Sequence, residues 1–183
     1  MAEGGYKIRN VEGIHFITFA VVEWVDVFTR SEYKDILVES LSFCQEKKGL
    51  ILYCWCIMSN HVHFMASAQN KNLSDILRDF KKFTSTQITT AILKNPQESR
   101  KNWMVDIFRN AAKENSRNTG YQFWRQDNHP IECFSFDFTK QKLDYIHNNP
   151  VAAGIVFNPE DYLYSSAADY AGKKGFLKVE LLF

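Results

Sequence analysis

The chain has 183 residues, 45% of them hydrophobic, 23% charged and 15% aromatic, with a formal net charge of +1. That length suits one domain with a proper core, and the near-neutral balance excludes a chain that binds polyanions through bulk charge alone. No apolar run approaches the roughly 18 residues of a membrane span, and "MAEGGYKIRN" lacks a signal-peptide core, so a cytoplasmic protein without membrane attachment is expected. Cys44, Cys54, Cys56 and Cys133 show no zinc-ribbon spacing and read as free thiols in or near the core.

In chain order, "GIHFITFAVV" (13–22) is β-rich and alternating, a first strand. A helix follows. Thr29 and Glu32 are spaced as a capping box, Phe28 and Tyr33 as a hydrophobic staple, and Ile36, Leu37, Leu41 and Cys44 recur at helical spacing until Gly49. "LILYCWCIM" (50–58) and "HVHFMAS" (61–67) are β-prone runs separated by Ser59-Asn60, which predicts an antiparallel pair. Residues 73–93 carry Ile76, Leu77, Phe80, Phe83, Ile88 and Ile92 as the stripe of a second helix.

Residues 94–120, bounded by Pro96 and Gly120, read as an insertion containing a short helix in "NWMVDIFRNAA". Between Lys94 and Arg125 seven basic residues (Lys94, Arg100, Lys101, Arg109, Lys113, Arg117, Arg125) face three acidic ones (Glu98, Asp106, Glu114). "YQFWRQDNHPIECF" supplies the last strand material, and "SFDFTKQKLDYIHNNP" a third helix, capped by Asp137 or Thr139 and ended by Pro150. The tail from Pro159 holds a short helix in "YLYSSAADY" and a basic turn at Lys173-Lys174. The order βαββαβ predicts an α+β, ferredoxin-like fold within a single domain over 1–183: an antiparallel sheet with helices on one face. The third helix is left to lie across the open face.

Strand alternation points His61 and His63 to one face, about 7 Å apart, with Val62 turned to the helix-covered core. Alone, the pair is better explained by a half-exposed polar face. A shared transition-metal ion needs at least one more ligand. Tyr145 and Asn149 are four apart on the third helix, hence on one face. The Asn149 carbonyl could complete a His-His-Asn site beside Tyr145, although an aromatic packing its ring is the commoner use of a lone tyrosine. Arg78, Lys81 and Lys82 cluster on the second helix; with Arg125 they are candidate phosphate contacts, or otherwise a solvated face.

"MSNHVHFM", followed by "DYIHNNPVAAGIV", resembles the single-tyrosine HUH (His-hydrophobic-His) transposases, in particular the REP-associated tyrosine transposases and their insertion-sequence relatives. "FWRQDNHPI" and "YLYSS" extend the likeness over nearly the whole chain. The resemblance implies that Tyr145 is a nucleophile, that His61, His63 and Asn149 hold Mg or Mn, and that the substrate is single-stranded DNA beside a hairpin, cut through a 5′-phosphotyrosine link. His147 is not carried over, since it lies about 200° around the helix from Tyr145. Some members exchange the tyrosine helix in dimers; likeness to the REP-associated branch favours a monomer. Two other readings stand beside it: a metal-dependent phosphodiesterase using water, and a non-catalytic single-strand-binding module.

Overall fold

The computed structural model describes residues 8–70, 72–114, 120–126 and 130–183. The strands are β1 (His15–Ala20), β2 (Leu50–Ile57), β3 (His61–Ala68) and β4 (Ile131–Glu132), and the helices α1 (Ser31–Lys48), α2 (Leu73–Lys94), α3 (Lys101–Lys113), α4 (Phe136–Ala152) and α5 (Ala167–Tyr170). The strands form one antiparallel sheet in the order β2-β3-β1-β4, the arrangement expected for βαββαβ.

Alternation sorts side chains to two cores. Ile17, Phe19, Trp55, Ile57, Val62, Phe64 and Ala66 face α1 and α2 in the main core. Phe16, Cys54, Cys56, Met58 and Met65 face the other way, where Leu143 and Ile146 of α4 cover them. Tyr53 interrupts the β2–β3 register between Leu52 and Cys54, a bulge that returns Cys54 and Cys56 to that second face. All four cysteines are free, and Cys44, Cys54 and Cys56 are buried.

Helix boundaries follow the sequence at some ends and depart from it at others. Gly49 ends α1 at φ 74°, a left-handed conformation suited to glycine. The Thr29–Glu32 capping box does not form: the N-cap is Arg30, with no side-chain cap. Both would-be cap groups are engaged elsewhere, Thr29 Oγ1 accepting from Arg100 Nη2 (3.1 Å) and Glu32 from Asn95 Nδ2 (2.9 Å). On α2, Phe83 is exposed, while Thr84 is buried on the i+4 row with Phe80 and Ile88. Thr84 fits there because its hydroxyl donates to the Phe80 carbonyl and accepts the indole N–H of Trp124. Ser135, not Asp137 or Thr139, caps α4 by accepting from the Phe138 N–H (3.3 Å). Pro150 does not end that helix, which continues to Ala152; in the last turn proline forfeits only one hydrogen bond.

The stretch between α2 and β4 is packed into the main core through Met104, Val105, Phe108 and Phe123. β4 is only two residues long, but Arg125 N–H donates to Ala20 O and Cys133 N–H to Ile14 O, so this stretch touches both ends of β1. Arg117 and residues 127–129 of the "FWRQDNHPI" motif lie outside the described residues. The tail lines the edge of β2: Ile57 N–H donates to Tyr164 O and Ser166 N–H to Trp55 O, both at 2.9 Å, covering backbone groups that a bare edge would expose. Among the described residues no helix is long and apolar enough to cross a membrane.

Candidate active site

Two elements bring the sequence-predicted residues together. β3 sets His61 and His63 side by side on the second face, ring centroids 4.6 Å apart. α4 crosses that face and presents Tyr145 edge-on to His63 at 5.2 Å. Asn149, one turn on, lines the same cleft of about 500 Å3, together with Phe16, Thr18, Trp24 and Lys142.

Hydrogen bonds orient both imidazoles. Asn60 Oδ1 is an acceptor 2.6 Å from His61 Nδ1, which assigns the proton to Nδ1 and leaves the lone pair on Nε2. Thr18, directly across β1 from His63, places its hydroxyl 2.7 Å from His63 Nδ1. Nε2 of His63 is buried with no hydrogen-bond partner among the described residues. An orphaned buried ring nitrogen is costly unless its lone pair serves a ligand. Burial pushes the pKa of His61 down to about 4; burial, then the His61 and Lys142 charges, push His63 down to about 3. Both rings are therefore neutral at pH 7, the form a metal needs. Among the described residues no three His, Cys, Asp or Glu side chains group together, so an ion held by this histidine pair would need a third donor of another kind. Asn149 suits: its Nδ2 donates back to the Tyr145 carbonyl (3.4 Å), and Oδ1 accepts no hydrogen bond from the described residues. Two imidazole nitrogens and an amide oxygen fit a divalent transition ion or Mg.

Lys142 stands one turn before Tyr145. Its ammonium lies 4.9 Å from the Phe16 ring centroid, 5.1 Å from Phe138 and 5.8 Å from Tyr145, with no carboxylate partner among the described residues. Its i−3 position from Tyr145 was available in the sequence. Thr18, Asn60 and Trp24 were not singled out either; Thr18 reaches His63 only through strand register, which no local pattern reveals.

The basic candidates separate. Arg125 reaches the cleft rim, its guanidinium 5.3 Å over the Trp24 ring, and Lys81 is tied to it by Nζ donating to the Arg125 carbonyl (2.9 Å). Arg78 is exposed and paired with Asp75 (2.6 Å) and Asp79 (3.3 Å). None of Arg78, Lys81, the exposed Lys82 or Arg125 itself lines the cleft; Arg125 meets it through Trp24. His147 faces away, buried, with Nε2 2.9 Å from Ser166 Oγ and its pKa pushed down to about 4 by burial.

These three histidines set an acid limit on stability. Their folded pKa values lie below the unfolded value near 6.5, so their contribution is full above that value and is lost as pH falls towards the folded values. In EDTA, each depressed histidine should cost on the order of 1 kcal/mol per pH unit below about 6. Calorimetry at pH 7.5, 6 and 5 should show a falling Tm, and a flat profile would contradict the burial described.

Comparisons place the chain in a family. The family model described as "Transposase IS200 like" matches residues 13–109, which include both histidines and end before α4. A solved structure of the REP-associated tyrosine transposase bound to a REP hairpin has a similar fold, with a TM-score of 0.62 at 18% sequence identity, covering 100% of this chain and 94% of that one. No curated protein matches. With its family match running from β1 through most of α3, the chain belongs to the IS200-like family of single-tyrosine transposases.

Proposed function

We propose that the cleft is a site for nicking and rejoining single-stranded DNA, with Tyr145 as nucleophile and His61, His63 and Asn149 as holders of Mg or Mn. The observation that carries this is the meeting of the Tyr145 ring with the His63 ring, whose buried Nε2 has no hydrogen-bond partner among the described residues, on elements more than eighty residues apart. When bound, a divalent ion supplies Lewis-acid polarisation of a phosphoryl oxygen.

The chain's own residues do the rest. The Tyr145 oxygen attacks phosphorus, its proton passing to solvent, while the bond from phosphorus to the leaving 3′ oxygen breaks and that oxygen takes up a proton. The products are a 5′-phosphotyrosine and a free 3′-hydroxyl. The ester conserves the bond, so the 3′-hydroxyl of another strand reverses the step. A phenol is a weak nucleophile unless positive charge offsets that of the phosphate. The ammonium of Lys142, which lines the cleft 5.8 Å from the Tyr145 ring centroid, can supply that charge. Lys142→Met, which keeps the aliphatic stem between the rings, should slow single-turnover adduct formation roughly 10- to 100-fold at saturating DNA, and Lys142→Arg should recover most of it. Equal rates in Met and wild type would remove Lys142 from the chemistry.

Partner and assembly follow from the same geometry. The solved relative carries a REP hairpin, which supports single-stranded DNA beside a hairpin as the substrate class. One chain supplies Tyr145, Asn149 and both histidines to one cleft, which supports cleavage in cis by a monomer. The test incubates the protein with labelled hairpin DNA from the flanks of its gene, in Mn2+ or in EDTA. An SDS-resistant adduct in Mn2+ alone is expected. Free nicked product without adduct would favour water as the nucleophile, and binding without any cleavage a non-catalytic module.

A further inference from the structure

Between β1 and α1 the chain makes an uncommon turn: Glu23 and Trp24, neither of them glycine, both take left-handed conformations, at φ 50° and 53°. Each such residue costs roughly 1–2 kcal/mol. Core packing of Trp24 does not return that energy, since it is 51% exposed while its neighbours Val22 and Val25 are buried. What the turn achieves is placement. The indole stands at the cleft rim, 5.9 Å from the His61 ring, with the Arg125 guanidinium 5.3 Å from its centroid.

The turn is also fastened to the Ser59-Asn60 turn that leads into His61 at the start of β3. Val21 N–H donates to Asn60 O (2.9 Å), Phe28 N–H to Ser59 O (2.7 Å), and Asn60 Nδ2 to the Trp24 carbonyl (3.3 Å). The Asn60 side chain thus holds the Trp24 backbone with its nitrogen and the His61 ring with its oxygen. An exposed, rigidly held indole with a guanidinium beside it, linked through one side chain to the reacting centre, suits an unpaired base whose phosphate lies next to it.

We propose that Trp24 is the stacking platform for an unpaired nucleobase adjacent to the scissile phosphate, with Arg125 as the neighbouring phosphate contact. The inference rests on reading the cleft as a single-strand DNA site, and it adds a positioning residue that neither the histidine motif nor the tyrosine helix supplies. Asn60 keeps the platform in register with His61, so the base and the phosphate are located by one rigid unit.

The test uses the full chain carrying Tyr145→Phe, which cannot form the adduct, and fluorescein-labelled hairpins from the flanks of its gene with a single-stranded arm. A set of arms carries one abasic site each, stepped along the strand. Trp24→Ala should weaken binding in Mn2+ roughly 5- to 150-fold, the range that stacking of one base spans, and Trp24→Phe should lie between. One abasic position should produce the same loss in the Trp24 protein and no further loss in Trp24→Ala. Mn2+ affinity and thermal stability of both variants should match the parent within experimental error. Parental affinity in Trp24→Ala, or losses that add at every abasic position, would overturn the platform. Coupling without any adduct in the Tyr145 protein would keep the platform and remove the nuclease; an adduct without coupling would do the reverse. A parent that binds none of the arms overturns both.

Discussion

Tyr145→Phe is expected to eliminate the covalent protein–DNA product and to reduce strand cleavage by at least about a thousandfold, the scale on which enzymes lose rate when the nucleophile itself is removed. The substitution deletes one oxygen and leaves the ring. Tyr145 is half exposed and its ring meets His63 at 5.2 Å, Phe16 at 6.1 Å and the Lys142 ammonium at 5.8 Å, contacts that a phenyl group reproduces. Fold, DNA affinity and metal affinity should therefore survive, which separates chemistry from scaffolding. The measurement is a labelled hairpin in Mn2+, resolved once on a denaturing protein gel for adduct and once on a sequencing gel for free nicks. Undiminished nicking by Tyr145→Phe would move the nucleophile from the phenol to water and leave the histidines serving a hydrolase.

The candidate site was legible in the sequence because its parts obey local periodicities. Alternation along a strand puts His61 and His63 on one face, and a spacing of four on a helix puts Asn149 with Tyr145, whatever the rest of the chain does. The antiparallel order follows from the sequence of elements once β2 and β3 are seen to form a hairpin. What could not be read was everything set by register between distant elements. Thr18 meets His63 only because Thr18 pairs with it across β1 and β3. Trp24 reaches the cleft through a backbone conformation that non-glycine residues seldom adopt.

Capping failed for a related reason. Thr29 and Glu32 have the right local spacing, but Arg100 and Asn95, some seventy residues away, are stronger donors in place. The DNA-contact candidates show the same limit. Adjacent lysines and arginines on α2 look alike in sequence, yet Arg78 is neutralised by Asp75 and Asp79 while Lys81 donates to the Arg125 carbonyl and lies over the Phe19 ring. Charge counts could not separate them, because the separation depends on which way each side chain folds.

The cluster that recruits Arg100 also carries the largest expected stability effect. The Glu98 side chain is 1% exposed and accepts from Arg30 Nε (2.9 Å), Arg100 Nε (3.3 Å), the Arg100 N–H (3.2 Å) and the Tyr33 hydroxyl (3.3 Å). Burial alone would raise its pKa, but the Arg100 N–H and the two guanidinium groups outweigh it and hold the carboxyl below the usual range. Glu98→Ala removes the carboxylate that Arg30 and Arg100 share, leaving Arg100 its pair with Asp26 (2.8 Å), and takes from the buried Tyr33 hydroxyl its acceptor while Asn95 Nδ2 still donates to it (3.3 Å). The carboxylate is buried but both guanidinium groups are about a third exposed and can turn to water, so the loss falls below that of a fully buried pair, at about 2–3 kcal/mol, which for a chain of this size lowers Tm by roughly 4–12 °C. The pH dependence carries the sign of the cause. Glu98 contributes stability above the unfolded carboxylate value near 4.3 and loses it as pH falls through its lower folded value, so the variant's deficit should shrink in acid. Glu98 does not line the cleft, so adduct formation well below the lowered Tm should match wild type. A variant that melts within about 2 °C of wild type at pH 7 would mean that the arginines find water or other partners at no cost. The junction of α1 with the segment joining α2 and α3 would then owe its stability to Met104, Phe108 and their apolar neighbours instead.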